Sequence, residues 1–303
     1  MNRILLILVA VVVIIIVILS IGNRHNDSSV VEAKGFHLDS TGFKTPESVF
    51  YDSDADLYLV SNINGSPTDM DDNGFISRVN PDGSISELKW IDGADENVTL
   101  SAPKGMAVAG EVLYVSDINA LRLFDKQSGE PVGAVKIPGS TFLNDVVADG
   151  QGGVYVSDSG LNPDFSASGT DAVYHVLADW SVETVAKGKE LMRPNGLAMV
   201  DGTLLCITFG GKSLLKIGMD GTISTEAELP GGSLDGIEQA KDGRLLISSW
   251  ETKTVYAVDG EGTATALVTD VESPADIGYD GKRNLVLIPL FSLDAISVVP
   301  VGQ

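Results

Sequence analysis

The chain has 303 residues, of which 33 are glycine, 12 are proline and only 20% are charged, and this composition is typical of a turn-rich β protein rather than a helical bundle. Its 20 Lys and Arg residues are outnumbered by 42 Asp and Glu residues, and the net charge of −22 excludes a protein that binds the phosphate backbone of nucleic acids. Cys206 is the only cysteine, so the sequence excludes an internal disulfide and a cysteine-based zinc site.

Residues 4–22 form an apolar stretch, ILLILVAVVVIIIVILSIG, that has the length of a membrane-spanning helix. Arg3 precedes it, which predicts that the chain after this segment is exported. The small residues Ser20 and Gly22 also fit cleavage of a signal peptide. The apolar run is longer than the usual apolar core of a signal peptide, which favours a retained membrane anchor over a cleaved signal peptide.

The predicted organisation therefore has three parts. Residues 1–22 form a transmembrane signal anchor or a signal peptide, residues 23–32 form a linker, and residues 33–303 form the folded domain. The domain is expected on the extracytoplasmic side, periplasmic or extracellular, and either membrane-anchored or secreted.

The folded domain repeats one pattern six times: an anchor residue, a polar residue, an alternating apolar strand, a Gly/Asp turn and a second strand. The copies start at Pro46, Pro103, Leu143, Pro194, Leu234 and Pro274. A second strand pair follows within most copies, often joined by an Asp-Gly turn as in LLKIGMDGTISTEA. Four strands in about 40 residues are typical of a β-propeller blade.

The last copy holds only three strands before the chain ends at Gln303. The segment AKGFHLD at residues 33–39 is the natural candidate for the missing strand, because it would leave no exposed sheet edge. The sequence therefore predicts an all-β, six-bladed β-propeller closed by an N-terminal strand and preceded by a single transmembrane or signal helix.

The residue one place after each anchor is expected to face the central channel. This column reads Glu47, Lys104, Asn144, Asn195, Asp235 and Ala275. Two carboxylates in a channel are costly unless a cation or proton compensates their charge. Calcium prefers carboxylate and amide oxygens, and the column holds no histidine or cysteine that would favour zinc. Glu47, Asn144, Asn195 and Asp235 are therefore candidate calcium ligands.

The next column contains three glycines, Gly105, Gly196 and Gly236, which are expected to allow tight backbone bends around the site. It also contains Asp145 and Asp276. These two carboxylates are candidates either for orienting water or for a purely structural role.

Four motifs carry a resemblance to a known family: Pro46-Glu47, Asn144-Asp145, Pro194-Asn195-Gly196 and Asp235-Gly236. Over residues 40–300 the chain resembles the senescence marker protein/gluconolactonase (regucalcin-like) family of six-bladed propellers, related to diisopropyl fluorophosphatase and the paraoxonases. The resemblance implies one catalytic divalent ion, usually calcium, held by the four candidate ligands. It also implies that Asp235 is the general base or nucleophile.

Two functions from different classes remain open. The first is an exported, calcium-dependent hydrolase of lactones or esters, with phosphotriesters as a further substrate class; the ion acts as a Lewis acid and Lys104 stabilises the oxyanion. The second is a non-catalytic propeller that binds a protein or small ligand, with a structural ion or a Lys104 ion pair with Glu47 or Asp235 in its channel. The expected partners are a small lactone or ester and, through residues 4–22, the membrane; a monomer is expected.

Two long insertions, residues 64–74 and 159–171, follow second strands and are expected beside the channel mouth. Cys206 lies within an apolar strand and is expected to be a buried filler rather than a nucleophile. The three histidines are His25 beside the apolar segment, His37 in the closing strand and His175 in an outer strand. All three are expected to be remote from the predicted site, so no histidine base is expected.

Overall fold

The computed structural model describes residues 34–39 and 41–302. In this part of the chain, 24 strands form six four-stranded antiparallel sheets, which confirms the all-β, six-bladed propeller. The membrane or signal helix predicted within residues 1–22 and the linker at 23–32 lie outside the described residues. Within those that are described, no helix is long and apolar enough to span a bilayer.

Blades 1 to 3 each run from the channel to the rim in chain order. Blade 1 contains β2 (Pro46–Asp52), β3 (Leu57–Asn62), β4 (Phe75–Val79) and β5 (Ile85–Asp92). Blade 2 contains β6 (Pro103–Ala109), β7 (Val112–Asp117), β8 (Ala120–Asp125) and β9 (Pro131–Lys136). Blade 3 contains β10 (Leu143–Ala148), β11 (Val154–Asp158), β12 (Ala172–Val176) and β13 (Val182–Lys187).

Blades 4 and 5 repeat this order, whereas blade 6 combines both ends of the described chain. Blade 4 contains β14 (Pro194–Val200), β15 (Thr203–Thr208), β16 (Ser213–Ile217) and β17 (Ile223–Glu228). Blade 5 contains β18 (Leu234–Gln239), β19 (Leu245–Ser249), β20 (Thr254–Val258) and β21 (Ala264–Val268). Blade 6 contains β22 (Gly278–Asp280), β23 (Leu285–Leu290), β24 (Ala295–Pro300) and β1 (Phe36–Leu38). Short 3₁₀ helices cover Lys189–Leu191 and Phe291–Leu293.

The core lies between neighbouring blades, where each sheet is buried on both faces. The second strand of each blade is therefore almost continuously apolar, as in LYLVSN of β3 and TLLCIT of β15. Tyr155 of blade 3, for example, packs in one cluster with Leu197, Leu204 and Cys206 of blade 4. The fourth strands, such as β9 and β17, are largely exposed and polar or small.

The first strands of all the blades share a β-bulge that the sequence did not reveal. In blade 4, Pro194 pairs with Thr208, but Leu197 pairs with Cys206, so the register shifts by one residue between them. Blades 1, 2, 3 and 5 show the same shift. In blade 6, Pro274 pairs with Leu290 only as an isolated bridge before β22 begins at Gly278. The sixth inner strand therefore begins four residues after the predicted start, on the far side of its bulge.

The ring closes through β1, which pairs antiparallel with β24 from Phe36 opposite Val298 to Leu38 opposite Ile296. This pairing confirms the predicted N-terminal closing strand. Blades 6 and 1 are also joined by polar contacts, because Tyr58 donates a hydrogen bond of 2.8 Å to the fully buried Asp280. Arg283 donates to the same carboxylate at 2.8 Å.

We expect Tyr58→Phe to lower the free energy of unfolding by about 1 to 2 kcal/mol, because a buried carboxylate loses one of its donors. The matched control is Tyr51→Phe, whose partly exposed hydroxyl bonds Asp56 at 2.9 Å and whose loss we expect to cost less than about 1 kcal/mol. Urea denaturation of both variants measures the difference. Equal losses would contradict a special contribution from the buried contact at the closure.

Candidate functional site

The bulges bring the side chains of the predicted ligand column together at one end of the central channel. A cavity of about 270 Å³ there is lined by the five predicted site residues, Glu47, Lys104, Asn144, Asn195 and Asp235. All five side chains are buried, with exposed fractions from 1% for Lys104 to 6% for Asn144. A bulge re-aims the side chain that it carries, and here it directs polar groups from five blades towards a shared space.

Serine hydroxyls from the second strands hold these bulges in place. Ser248 accepts a hydrogen bond from the Gly236 amide at 2.8 Å and donates to the Ala275 carbonyl of the next blade at 2.9 Å. Ser157 accepts from the Asp145 amide at 3.0 Å. Ser116 donates to the Asn144 carbonyl of the following blade. The backbone groups that leave the regular sheet pairing are thereby satisfied, and adjacent blades are linked at the level of the site.

Three of the four candidate metal ligands carry a buried oxygen without a hydrogen-bond partner: Glu47 Oε2, Asn195 Oδ1 and Asp235 Oδ1. The amide of the fourth, Asn144, is oriented by its Nδ2, which donates to Ser159 Oγ at 3.1 Å. Buried polar atoms are almost always paired, so unpaired oxygens from three blades at one cavity indicate a missing electrophilic partner. The donor set of two carboxylates and two amides suits a hard divalent cation such as calcium.

No group of three or more His, Cys, Asp or Glu side chains is placed to hold a metal ion in the part of the chain that the structure describes. The cavity has only two acids, and half of its candidate ligands are amides. Such a set fits a calcium ion better than the imidazole- and thiolate-rich sites of zinc.

Burial disfavours the ionised forms of the two carboxyl groups in the cavity. Burial raises the pKa of Glu47 well above its usual range, and the Asp235 carboxylate raises it further. Burial also raises the pKa of Asp235, with a second contribution from Asp276. A bound divalent cation favours the ionised carboxylates and thus opposes both effects.

Lys104 is fully buried in this cavity. Its Nζ donates to the Ala102 carbonyl at 3.0 Å and lies 4.5 Å from the centre of the Phe142 ring. Burial lowers its pKa, against the attraction of the Glu47 carboxylate. Lys104 makes no salt bridge among the described residues, and the alternative of an ion pair with Glu47 or Asp235 that replaces the metal stays a prediction.

The glycines of the next column lie where neighbouring inner strands approach each other closely. A side chain at Gly105 would overlap Asp145 of the next blade, and one at Gly236 would overlap the backbone of Ile277. Neither glycine has a positive φ. Both glycines lie within the β-bulges, and these positions also need the absence of a Cβ to let inner strands pack together.

Asp145 and Asp276 line a second cavity of about 320 Å³, further along the same inner strands. Asp145 accepts hydrogen bonds from the amides of Val146 and Leu197, each at 2.6 Å. Asp276 accepts from the Ser48 hydroxyl at 2.6 Å across the blade 6–blade 1 junction. Of the two roles considered for Asp145 and Asp276, these contacts fit a structural role, in which the carboxylates join neighbouring strands, rather than the orientation of water at Asp235.

The walls of the first cavity are apolar, and sequence reasoning missed them. They are formed by Ile63, Pro67, Phe142, Leu161, Phe165, Phe209, Trp250 and Phe291. A periodic signal was present, since the residue directly after each second strand reads Ile63, Ile118, Ser159, Phe209, Trp250 and Phe291. All but Ile118 line the cavity.

Three minor predictions have clear outcomes. Both long insertions reach the cavity, through Pro67 in one and through Leu161 and Phe165 in the other, as expected. Cys206 is a buried free thiol, and burial raises its pKa. His37 and His175 lie away from the cavity lining.

No protein-family model matches the chain, and no curated protein matches its sequence. Solved structures share its fold. A gluconolactonase from Xanthomonas campestris aligns with a TM-score of 0.68 and 17% identity, covering 88% of this chain and 90% of that one. The calcium-binding protein regucalcin from Agrobacterium tumefaciens aligns with a TM-score of 0.62 and 13% identity, covering 86% and 90%. The chain folds as these propellers do, which confirms the resemblance at the level of the fold.

A third neighbour carries out a different reaction. The virginiamycin B lyase from Staphylococcus aureus aligns with a TM-score of 0.60 and 15% identity, covering 88% of this chain and 98% of that one. Its structure is described as a catalytically inactive histidine-to-alanine variant. Because the same fold supports different chemistry, the function of this chain depends on its own cavity.

Glu238 lines the second cavity, and its titration tests how strongly this cavity disfavours an ionised carboxylate. Burial, reinforced by Asp276, raises the pKa of Glu238 to about 8. Between pH 4 and pH 8 the unfolded chain loses this proton while the folded chain keeps it, so the raised pKa destabilises the fold as pH rises. We expect Glu238→Gln to increase the free energy of unfolding at pH 9 by about 1 kcal/mol or more.

The same comparison at pH 4 is the control, because the carboxyl is then largely protonated in both states and the pH-dependent gain is absent. Urea unfolding at the two pH values measures both quantities. A variant less stable than the parent at pH 9 would show that the Glu238 carboxylate is stabilised in the fold.

Proposed function

We propose that the first cavity is the active site of a divalent-cation-dependent lactonase or esterase. The observation that carries the proposal is the set of unpaired buried oxygens on Glu47, Asn195 and Asp235. The gluconolactonase and regucalcin neighbours support this reading of the cavity, since one is named for lactone hydrolysis and the other for calcium binding.

Glu47, Asn144, Asn195 and Asp235 would hold the cation. When bound, a divalent cation supplies Lewis-acid polarisation of a carbonyl or phosphoryl oxygen. With the cation present, the charges of Glu47, Asp235 and Lys104 leave an excess of one positive charge, which suits the negative charge that develops during ester hydrolysis.

Asp235 is the proposed base or nucleophile. As a base it takes a proton from the attacking water, whose oxygen bonds to the carbonyl carbon; the carbon–oxygen bond of the ester or lactone then breaks, and the leaving oxygen receives that proton. As a nucleophile it attacks that carbon itself, the same carbon–oxygen bond breaks, and the leaving oxygen is protonated by water; a second water then hydrolyses the acyl-enzyme and regenerates the carboxylate. Lys104 donates one proton to the Ala102 carbonyl, and its ammonium group has two more protons for the developing oxyanion.

A lyase reaction is the weaker reading. The lyase neighbour is inactive when one histidine is replaced, and neither His37 nor His175 lines the cavity. A non-catalytic, ligand-binding propeller is the remaining alternative, and turnover distinguishes it from the hydrolase.

We further propose that the propeller works as a monomer on the extracytoplasmic side, secreted or held by the apolar segment at residues 4–22. This part of the proposal rests on the sequence alone.

Calcium binding tests the ligand set. We expect the protein to bind one calcium ion by isothermal titration calorimetry and to melt at a higher temperature with calcium than with a chelator. Glu47→Gln should weaken the affinity at least about tenfold, because a charged ligand is lost. Glu238→Gln makes the same chemical change in the other cavity and should leave calcium affinity unchanged. Absence of calcium, magnesium and manganese binding to the parent protein would contradict the proposal.

Hydrolysis tests the role of Asp235. We expect Asp235→Asn to reduce kcat for lactones or aryl esters by about 100-fold or more, since an amide neither accepts the proton nor attacks. Steady-state assays at saturating calcium measure kcat. Asp69→Asn, in the insertion at residues 64–74, is the matched control and should leave kcat unchanged. Undiminished turnover of the Asp235 variant would remove this residue from the mechanism. Calcium binding without turnover of any lactone, ester or phosphotriester would favour the non-catalytic propeller.

A further inference from the structure

One side of the first cavity is a continuous aromatic wall contributed by three successive blades. The Phe209 and Trp250 rings lie 6.0 Å apart at 78°, and the Trp250 and Phe291 rings lie 5.2 Å apart at 58°. Edge-to-face and tilted pairs at these distances fix the orientation of each ring. The wall is therefore a preformed apolar surface. It lines the same cavity as five polar residues that we call the polar floor: Glu47, Lys104, Asn144, Asn195 and Asp235.

The other sides add further apolar groups. Phe142, Leu161, Ile63 and Pro67 complete the lining. Phe165, in the loop after β11, also lines the cavity and is 50% exposed. An apolar group that enters the cavity would bury this surface, which favours binding roughly in proportion to the area removed from water.

The wall offers few hydrogen bonds to a ligand. Trp250 Nε1 is its one donor without a partner. Ser159 Oγ already donates to the Pro194 carbonyl at 2.7 Å and accepts from Asn144 at 3.1 Å. A polyhydroxylated sugar ring would leave most of its hydroxyl groups unpaired against such a wall, and each unpaired buried hydroxyl reduces affinity.

We infer that the cavity selects substrates whose ester or lactone carbonyl is attached or fused to a neutral aromatic ring, and that it discriminates against polyhydroxylated sugar lactones. The ring lies against Phe209, Trp250 and Phe291, and the carbonyl faces the floor that contains Asp235 and Lys104. The inference deepens the proposed function and rests on it for the reacting group.

Two pairs of compounds test the selection and the reaction separately. The lactones are dihydrocoumarin, an aryl-fused δ-lactone, and glucono-δ-lactone. The probes for binding are the corresponding unreactive lactams, 3,4-dihydroquinolin-2-one and glucono-δ-lactam. With calcium present, calorimetry should show the aromatic lactam binding at least about tenfold more tightly than the sugar lactam, because the ring buries apolar area that the sugar cannot.

Variants locate the binding surface. Phe209→Ala should weaken the affinity for the aromatic lactam about fivefold through the loss of an aromatic contact. Phe209→Leu should recover part of that affinity. Trp180→Ala removes an exposed ring that lies outside the cavity lining, and it should leave the affinity for the aromatic lactam unchanged. Melting curves of each variant show that it is folded.

Equal or tighter binding of the sugar lactam would overturn the inference, as would an aromatic lactam that does not bind or whose affinity is insensitive to Phe209. Failure of the proposed function has a different signature. In that case the aromatic lactam binds with the expected selectivity, while neither lactone is hydrolysed.

Discussion

The site depends on one backbone constraint, the β-bulge that recurs at the start of the inner strands. The bulge removes backbone amides and carbonyls from regular pairing, and these groups need other partners. Serines such as Ser248 supply them and bond to the next blade at the same time. The polar ring around the cavity is thus positioned by the contacts that join neighbouring blades, and site geometry and ring closure are coupled.

The same inner strands separate acidic residues with different chemical environments. Glu47 and Asp235 have buried oxygens without hydrogen-bond partners in the first cavity. In the second cavity, both oxygens of Asp145 accept hydrogen bonds from backbone amides. Burial raises the pKa of all three carboxyl groups. Hydrogen bonding, rather than burial, therefore distinguishes the acids available to a ligand from those that hold the blades together.

The aromatic wall shows why fold similarity alone does not identify a substrate. Gluconolactonase and lyase propellers share this architecture. In this chain Phe209, Trp250 and Phe291 lie in the connections that directly follow the second strands, Phe291 within a short 3₁₀ helix. Loops at the end of a rigid scaffold vary without disturbing the core. In this chain they combine an apolar wall with a floor of oxygen ligands and one buried amine.

The sequence by itself determined the blade count, the closing strand and the column from Glu47 to Asp235, because alternation of apolar residues and Asp-Gly turns are local signals. It also carried the column of residues after the second strands, three of which form the aromatic wall. Only the tertiary structure decided that Lys104 donates to the Ala102 carbonyl, that Asp145 and Asp276 line the second cavity, and that Gly105 and Gly236 serve close packing. These features depend on strand register and on contacts between blades distant in sequence, which no local pattern encodes.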